Sequence, residues 1–284
     1  MTDLNIGLIL PDVLGTYGDD GNALVLRERA RRRGFDATVT PIKLGEPVPE
    51  GLDVYAIGGG EDAAQTIAAE HLAKDGGLAR AAAAGRPILA ICAGFQVLGE
   101  TFRAGGREIA GLGLVDARTE SLPERAIGEI RTRPDGDATA GTFLEGLSAT
   151  LTGFENHLGK TILGPDAKPL GRVIRGVGNE GPDRQPEPGR APGPVRAADG
   201  GKVGVVKHEA TETPTGGDEG AVQGSIVATY LHGPVLARNP QLADLLLARA
   251  MGVDVATLEP LDLPVIDRLR AERIASKPRP KSER

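Results

Sequence analysis

Over the first 100 residues, short β-branched runs alternate with helical ones: Asn5–Leu10, Asn22–Arg33, Ala37–Ile42, Val54–Ile57, Asp62–Ala84, Pro87–Ile91 and a helix opening at Ala93. Parallel strands can be joined only through a crossover, so this alternation points to βαβ units on a parallel sheet. The expected class is α/β, with a central, mostly parallel sheet and flanking helices. Ligands then collect beyond the carboxyl ends of the strands, where Gly58-Gly59-Gly60 and Cys92 both fall.

Beyond Gly111 the strand-like stretches shorten to Gly111–Val115, Ile127–Arg131 and Leu151–Leu163, with turn residues between them, which predicts an antiparallel extension of the same sheet. Order returns with Ser225–Leu231, a β-rich run ending in His232-Gly233-Pro234. Asn239 then reads as an N-cap, Pro240 as the first helical residue and Gly252 as the stop after Met251. Leu242, Leu245 and Leu246 share one face of that helix, which predicts packing on the sheet.

A length of 284 residues fits one domain, taken as 1–260, with a basic tail over 261–284 read as a solvated or partner-docking helix. Within the domain, the segment of about 181–217 is dense in Pro, Gly and charge and reads as a flexible insertion. Its apolar run Val203–Val206 fits either an edge strand or a loop.

Composition removes several function classes. Three Tyr, five Phe, no Trp and a net charge of -6 leave no aromatic and basic surface for nucleic acid. No stretch reaches the roughly 18 apolar residues of a membrane span, and no basic segment precedes the first apolar run, so a cytoplasmic protein is expected. A single cysteine excludes an internal disulfide and a multi-cysteine zinc site.

That cysteine sits in Ile88-Leu89-Ala90-Ile91-Cys92-Ala93-Gly94-Phe95-Gln96, a buried strand running straight into a helix. A sharp strand-to-helix turn needs small neighbours and exposes its corner residue at the top of the sheet, which describes a nucleophile elbow. The helix start supplies partial positive charge that favours an anion there. Taken alone, a lone cysteine is more often a small buried hydrophobe. Its neighbours weigh the other way, because Gly59 and Gly60, ending the preceding strand, offer amides to a tetrahedral oxyanion together with the amide of Ala93. Of the four histidines, only His232 closes a predicted strand and so reaches the rim that holds Cys92. His71 lies in a helix, His208 in the insertion, and His157, in the run Glu155-Asn156-His157, is the runner-up.

The chain resembles the class I, triad-type glutamine amidotransferases with their flavodoxin-like fold, in the CobB/CobQ-like branch whose histidine is followed by Gly-Pro. Five motifs in order carry the resemblance: Thr16–Asn22, Ile57–Gly60, Cys92–Gln96, Gly153–His157 and Thr229–Pro234. They are similar to those of the glutaminase subunits of lipid II isoglutaminyl synthases. The resemblance implies that Cys92 attacks the side-chain amide of L-glutamine, that His232 shuttles the proton, and that Arg125 holds the substrate α-carboxylate. It also implies a Mur-ligase-like partner, MurT, which would use the released ammonia to amidate the D-glutamate of lipid II. No cofactor is expected in this chain; ATP and Mg belong to the partner. Two other readings are an amidase for another acceptor such as cobyrinate, and a noncatalytic scaffold subunit.

Pro234 stands where ordinary class I enzymes carry the acid that orients their histidine, so the third triad member is expected from the partner subunit. Asp19 and Asp20 lack His or Glu at supporting spacing and read as turn or helix-cap residues rather than metal ligands. A P-loop at Gly159-Lys160-Thr161 would need glycine at position 154 and finds Phe154.

Overall fold

The computed structural model of the chain describes residues 3–179 and 217–275. The first half runs β1 (Leu4–Ile9), α1 (Gly21–Arg31), β2 (Ala37–Ile42), β3 (Val54–Ile57), α2 (Asp62–Asp75), α3 (Gly77–Ala83), β4 (Ile88–Ile91) and α4 (Ala93–Leu98). Then follow β5 (Thr101–Ala104), β6 (Arg107–Ala110), β7 (Ala117–Pro134), α5 (Gly136–Thr139), β8 (Leu151–Leu163) and β9 (Gly171–Arg175). After the insertion come β10 (Asp218–Glu219), β11 (Ala221–Gln223), β12 (Ile226–Thr229), α6 (Val235–Arg238), α7 (Pro240–Met251), a short 3-10 turn at Val255–Thr257, and α8 (Pro264–Ala275).

The α/β class holds. One sheet has the order β11-β12-β4-β3-β1-β2 and is parallel except for β11. Its inner strands are buried at every position of β3, β4 and β12, the near-continuous apolar pattern of strands covered on both faces. Only β11 extends this sheet antiparallel; the strands from β5 to β10 form a second sheet, where a single extended sheet was expected from the sequence. The second sheet is built on β7, an 18-residue strand paired with β8 along nearly its whole length.

Three local differences have plain causes. The single helix expected over Asp62–Ala84 is broken at Gly76, which adopts φ 70° and restarts the chain as α3. Gly111–Val115 is not a strand: Gly111 is wedged against the carbonyls of Gly99 and Val97, and β6 ends at Ala110. Asn239 occupies the N-cap of α7 without capping it, because its side chain exchanges hydrogen bonds with the backbone of Thr152 and donates to the carbonyl of Val235. The rest of α7 is as expected, with Leu242, Leu245 and Leu246 buried and Gly252 in the left-handed conformation.

Val203–Val206 and His208 lie outside the described residues. In the tail, α8 buries no side chain, yet Arg270 pins it by donating to Thr150 O, to Arg238 O at 2.8 Å and to Asn239 Oδ1 at 2.9 Å.

Candidate active site

Because β4 and β12 are parallel neighbours, with Ile91 opposite Thr229, the residues just past their ends meet at one rim. Cys92 is the first residue after β4, and its amide donates to Thr229 O at 2.9 Å. His232 follows three residues past β12 and is anchored in both directions to the backbone of Phe154, on β8. The second sheet therefore fixes the imidazole over the carboxyl edge of the first.

Cys92 has φ 51° and ψ -101°, a conformation that costs a side-chain-bearing residue on the order of 1–3 kcal/mol. The elbow expected from the sequence is present, and its small neighbours are required: a Cβ on Gly94 would stand 3.0 Å from the carbonyl oxygens of Ile57 and Gly58.

His232 has an acid partner within this chain, where the sequence led to the expectation of one from a partner subunit. Asp19 Oδ2 accepts from His232 Nδ1 at 2.8 Å, with the two side chains 0% and 4% exposed. Asp19 does sit in the turn before α1, as its sequence context suggested, but its side chain is engaged by His232. Sheet order explains the meeting: Asp19 sits in the loop after β1, which is next but one to β4, so that loop opens on the same crevice.

Burial alone would lower the His232 pKa. The hydrogen bond to Asp19 and the proximity of Cys92 outweigh it and raise the imidazole to about 10. His232 is thus an imidazolium beside the thiol across the neutral range. Its Nε2 has no hydrogen-bond partner among the described residues.

Not every expected oxyanion donor is free. The Gly59 amide donates to Asp19 Oδ2 at 3.2 Å, so it braces the carboxylate and is not available as the oxyanion donor expected of it. No side chain fits at this position, since a Cβ there would lie 2.9 Å from His232 Cε1 and 3.2 Å from Asp19 Oδ2. Gly60 lines the cleft, and Ala93 opens α4 directly after the thiol.

The cleft in front of Cys92, of about 180 Å³, is also lined by Tyr17, Glu61, Glu120, Arg125 and Asn156. Arg125 lies in the segment of β7 where the pairing with β8 slips, between Ser121 and Ala126, and it lines this opening. There its Nη1 donates to Asn156 Oδ1 at 3.2 Å, while Asn156 O lies 4.0 Å from Cys92 Sγ.

His157, the other histidine considered, also borders the cleft but is locked in place. Its Nδ1 is 2.9 Å from Gly159 O, and its ring stacks on Tyr230 with centroids 3.8 Å apart. Tyr230 continues into a buried network with Thr161 and Gln96 that floors the site. His71 is remote, with Nε2 on Glu46 O.

Cys92 at the strained elbow and Arg125 share one cleft, and the buried His232–Asp19 pair lies at the same rim, an arrangement of thiol, imidazole and carboxylate suited to nucleophilic chemistry. Residues 5–200 match the CobB/CobQ-like glutamine amidotransferase domain, and the chain belongs to that family of glutamine amidotransferases. It is 31% identical over 277 residues to the lipid II isoglutaminyl synthase (glutamine-hydrolyzing) subunit GatD of Staphylococcus aureus (strain N315), covering 96% of this chain and 95% of that one. The GatD subunit of Streptococcus pneumoniae (strain ATCC BAA-255 / R6) is 32% identical over 276 residues, covering 96% and 89%. A probable cobyric acid synthase of Methanothermobacter thermautotrophicus is 32% identical over 154 residues, 52% of this chain and 23% of that protein.

Proposed function

We propose that this chain is the glutaminase subunit of a lipid II isoglutaminyl synthase, hydrolysing L-glutamine to glutamate and ammonia with Cys92 as nucleophile. The observation that carries the chemistry is the junction of Cys92, His232 and Asp19 at one rim, with Arg125 in the same cleft. Likeness to the two GatD subunits along almost the full length of all three chains supports the acceptor.

In the first half-reaction, Arg125 pairs with the α-carboxylate and presents the side-chain amide to Cys92. The thiolate attacks the amide carbon, and the carbonyl electrons move onto oxygen, which takes hydrogen bonds from the amides of Gly60 and Ala93. Collapse breaks the C–N bond as His232 gives its proton to the departing nitrogen, leaving ammonia and a γ-glutamyl thioester. Neutral His232 then takes a proton from water, which attacks the thioester, and expulsion of the thiolate yields glutamate and restores the imidazolium. Asp19 holds the ring with Nδ1–H toward itself and Nε2 toward the thiol through both steps.

The ammonia passes to a MurT-like, Mur-ligase-type partner, which consumes ATP with Mg and amidates the D-glutamate of the lipid II stem peptide. Among the described residues no helix is long and apolar enough to cross a membrane. A cytoplasmic setting, which keeps a lone cysteine reduced, suits the chemistry.

The test is incubation with a chloroketone analogue of glutamine, followed by peptide mapping. One adduct, on Cys92, slowed by L-glutamine, is expected; a chain that reacts equally fast with and without saturating glutamine would contradict the reading. Reconstitution with the ligase and lipid II, read as amidated stem peptide, tests the acceptor.

A further inference from the structure

Glu61, one of the acids lining the cleft, is not used by the reaction above. Glu61 occupies the N-cap position of α2, yet its side chain makes no capping hydrogen bond. Instead, Oε1 accepts from Tyr17 Oη at 2.6 Å, and no described hydrogen bond uses Oε2. An exposed glutamate is ordinarily free to swing, whereas this one is held at the mouth of the cleft that contains Cys92 and Arg125.

Tyr17 is itself part of the catalytic cluster. Its ring packs against His232 with centroids 5.1 Å apart. The hydrogen bond to Glu61 pushes the phenol up to about 12, so it remains a neutral donor at working pH. Arg125, Cys92, Tyr17 and Glu61 all line the one cleft. Asp62, the next residue, accepts from the Gly105 amide at 2.8 Å, tying this edge of the cleft to the β5–β6 turn.

A free amino acid offers two opposite charges on one carbon. Arg125 answers the carboxylate, and a fixed carboxylate at the same opening is the complementary group for an ammonium. We infer that Glu61, positioned by Tyr17, binds the α-ammonium of the substrate opposite Arg125, so that the cleft accepts an amide on a free amino acid and rejects one lacking that amine. This rests on the glutaminase reading above.

Glu120 is the rival acid on the same cleft. Its one described ion pair is with Arg118 at 3.8 Å, with both side chains more than half exposed, and nothing comparable to Tyr17 fixes it.

The test compares ammonia release from L-glutamine and from 4-carbamoylbutanoate, which is glutamine without its amine, using the complex with the ligase subunit. Wild type should favour L-glutamine by about 100-fold or more in kcat/KM. Glu61→Gln should lower kcat/KM for L-glutamine by about 10- to 100-fold, mostly through KM, and leave the amine-free amide within about twofold, so that discrimination collapses. Tyr17→Phe should move both readouts in the same direction by a smaller factor. Equal loss on both amides would mark Glu61 as structural and overturn the inference, as would full discrimination in Glu61→Gln. Collapse in Glu120→Gln instead would assign the ammonium to the other acid and also overturn it. A wild-type complex that hydrolyses neither amide would defeat the glutaminase reading itself, a failure visible before any variant is made.

Discussion

Nδ1 of His232 lies 2.8 Å from Oδ2 of Asp19, although 213 residues separate them in the chain. The pair gives this chain its own orienting acid, held in turn by the Gly59 amide. Under the proposed function, acid, base and nucleophile would all come from this one chain.

Asp19→Asn should therefore cost far more than a surface change. An asparagine at this place cannot hold Nδ1–H and support the imidazolium equally well, and kcat should fall by about 10²- to 10⁴-fold with little change in KM. The alkaline limb of the pH profile, set in the wild type by loss of the His232 proton near pH 10, should move to lower pH because two of the causes that raise it come from Asp19. The measurement is kcat for ammonia release between pH 6 and 10.5, with circular dichroism to check that the fold is retained.

Gly59→Ala tests how tightly the same cluster is packed. The added methyl would meet the imidazole at 2.9 Å and must displace it from the thiol or from Asp19. Displacements of this size at a reacting centre cost about 100-fold in rate. Thermal unfolding together with ammonia release separates the outcomes, with a large loss of rate and a small change in Tm expected.

Glu219 supplies a prediction about stability. Burial pushes its carboxyl up from 4.5 to about 8, against the lowering effect of hydrogen bonds from Thr229 Oγ1 and the Tyr230 amide. A folded-state pKa raised above the unfolded value means that the native protein holds the extra proton. The stabilisation is therefore complete below about pH 4.5 and is lost as pH rises through about 8. Glu219→Gln keeps the accepting oxygen and removes the titration. Its urea-unfolding free energy should change less between pH 5 and pH 9 than that of the wild type, by a margin on the order of a few kcal/mol.

What was legible in the sequence was whatever local pattern determines. The strand-to-helix corner at Cys92, the strand closing at His232 and the helix bounded by Pro240 and Gly252 each carry their signal within a few residues. The alternation of the first hundred residues is enough to place the glycine run and the thiol at one sheet edge. Asp19 was not legible, because its role depends on β1 lying next but one to β4, and alternation of strands and helices does not fix sheet order. Arg125 was placed by resemblance, since it lies where the pairing of two distant strands slips. The separateness of the second sheet is hidden in the sequence for a related reason. β7 includes Pro123 and a charged bulge, which break the alternating pattern, so only Ile127–Arg131 stood out within an 18-residue strand. Glu61 could have been noticed as an acid directly after the glycine run, but only coordinates reveal that Tyr17 takes its side chain away from the helix end.

The most direct test of the central claim is the rate of ammonia release from L-glutamine by the complex carrying Cys92→Ala, against the wild type, with lipid II amidation followed in the same mixture and free ammonium added as a rescue. The expected result is no glutamine-dependent ammonia above background, no glutamine-dependent amidation, and amidation restored by ammonium. Glutamine-dependent amidation at the wild-type rate in the Cys92→Ala complex would contradict it.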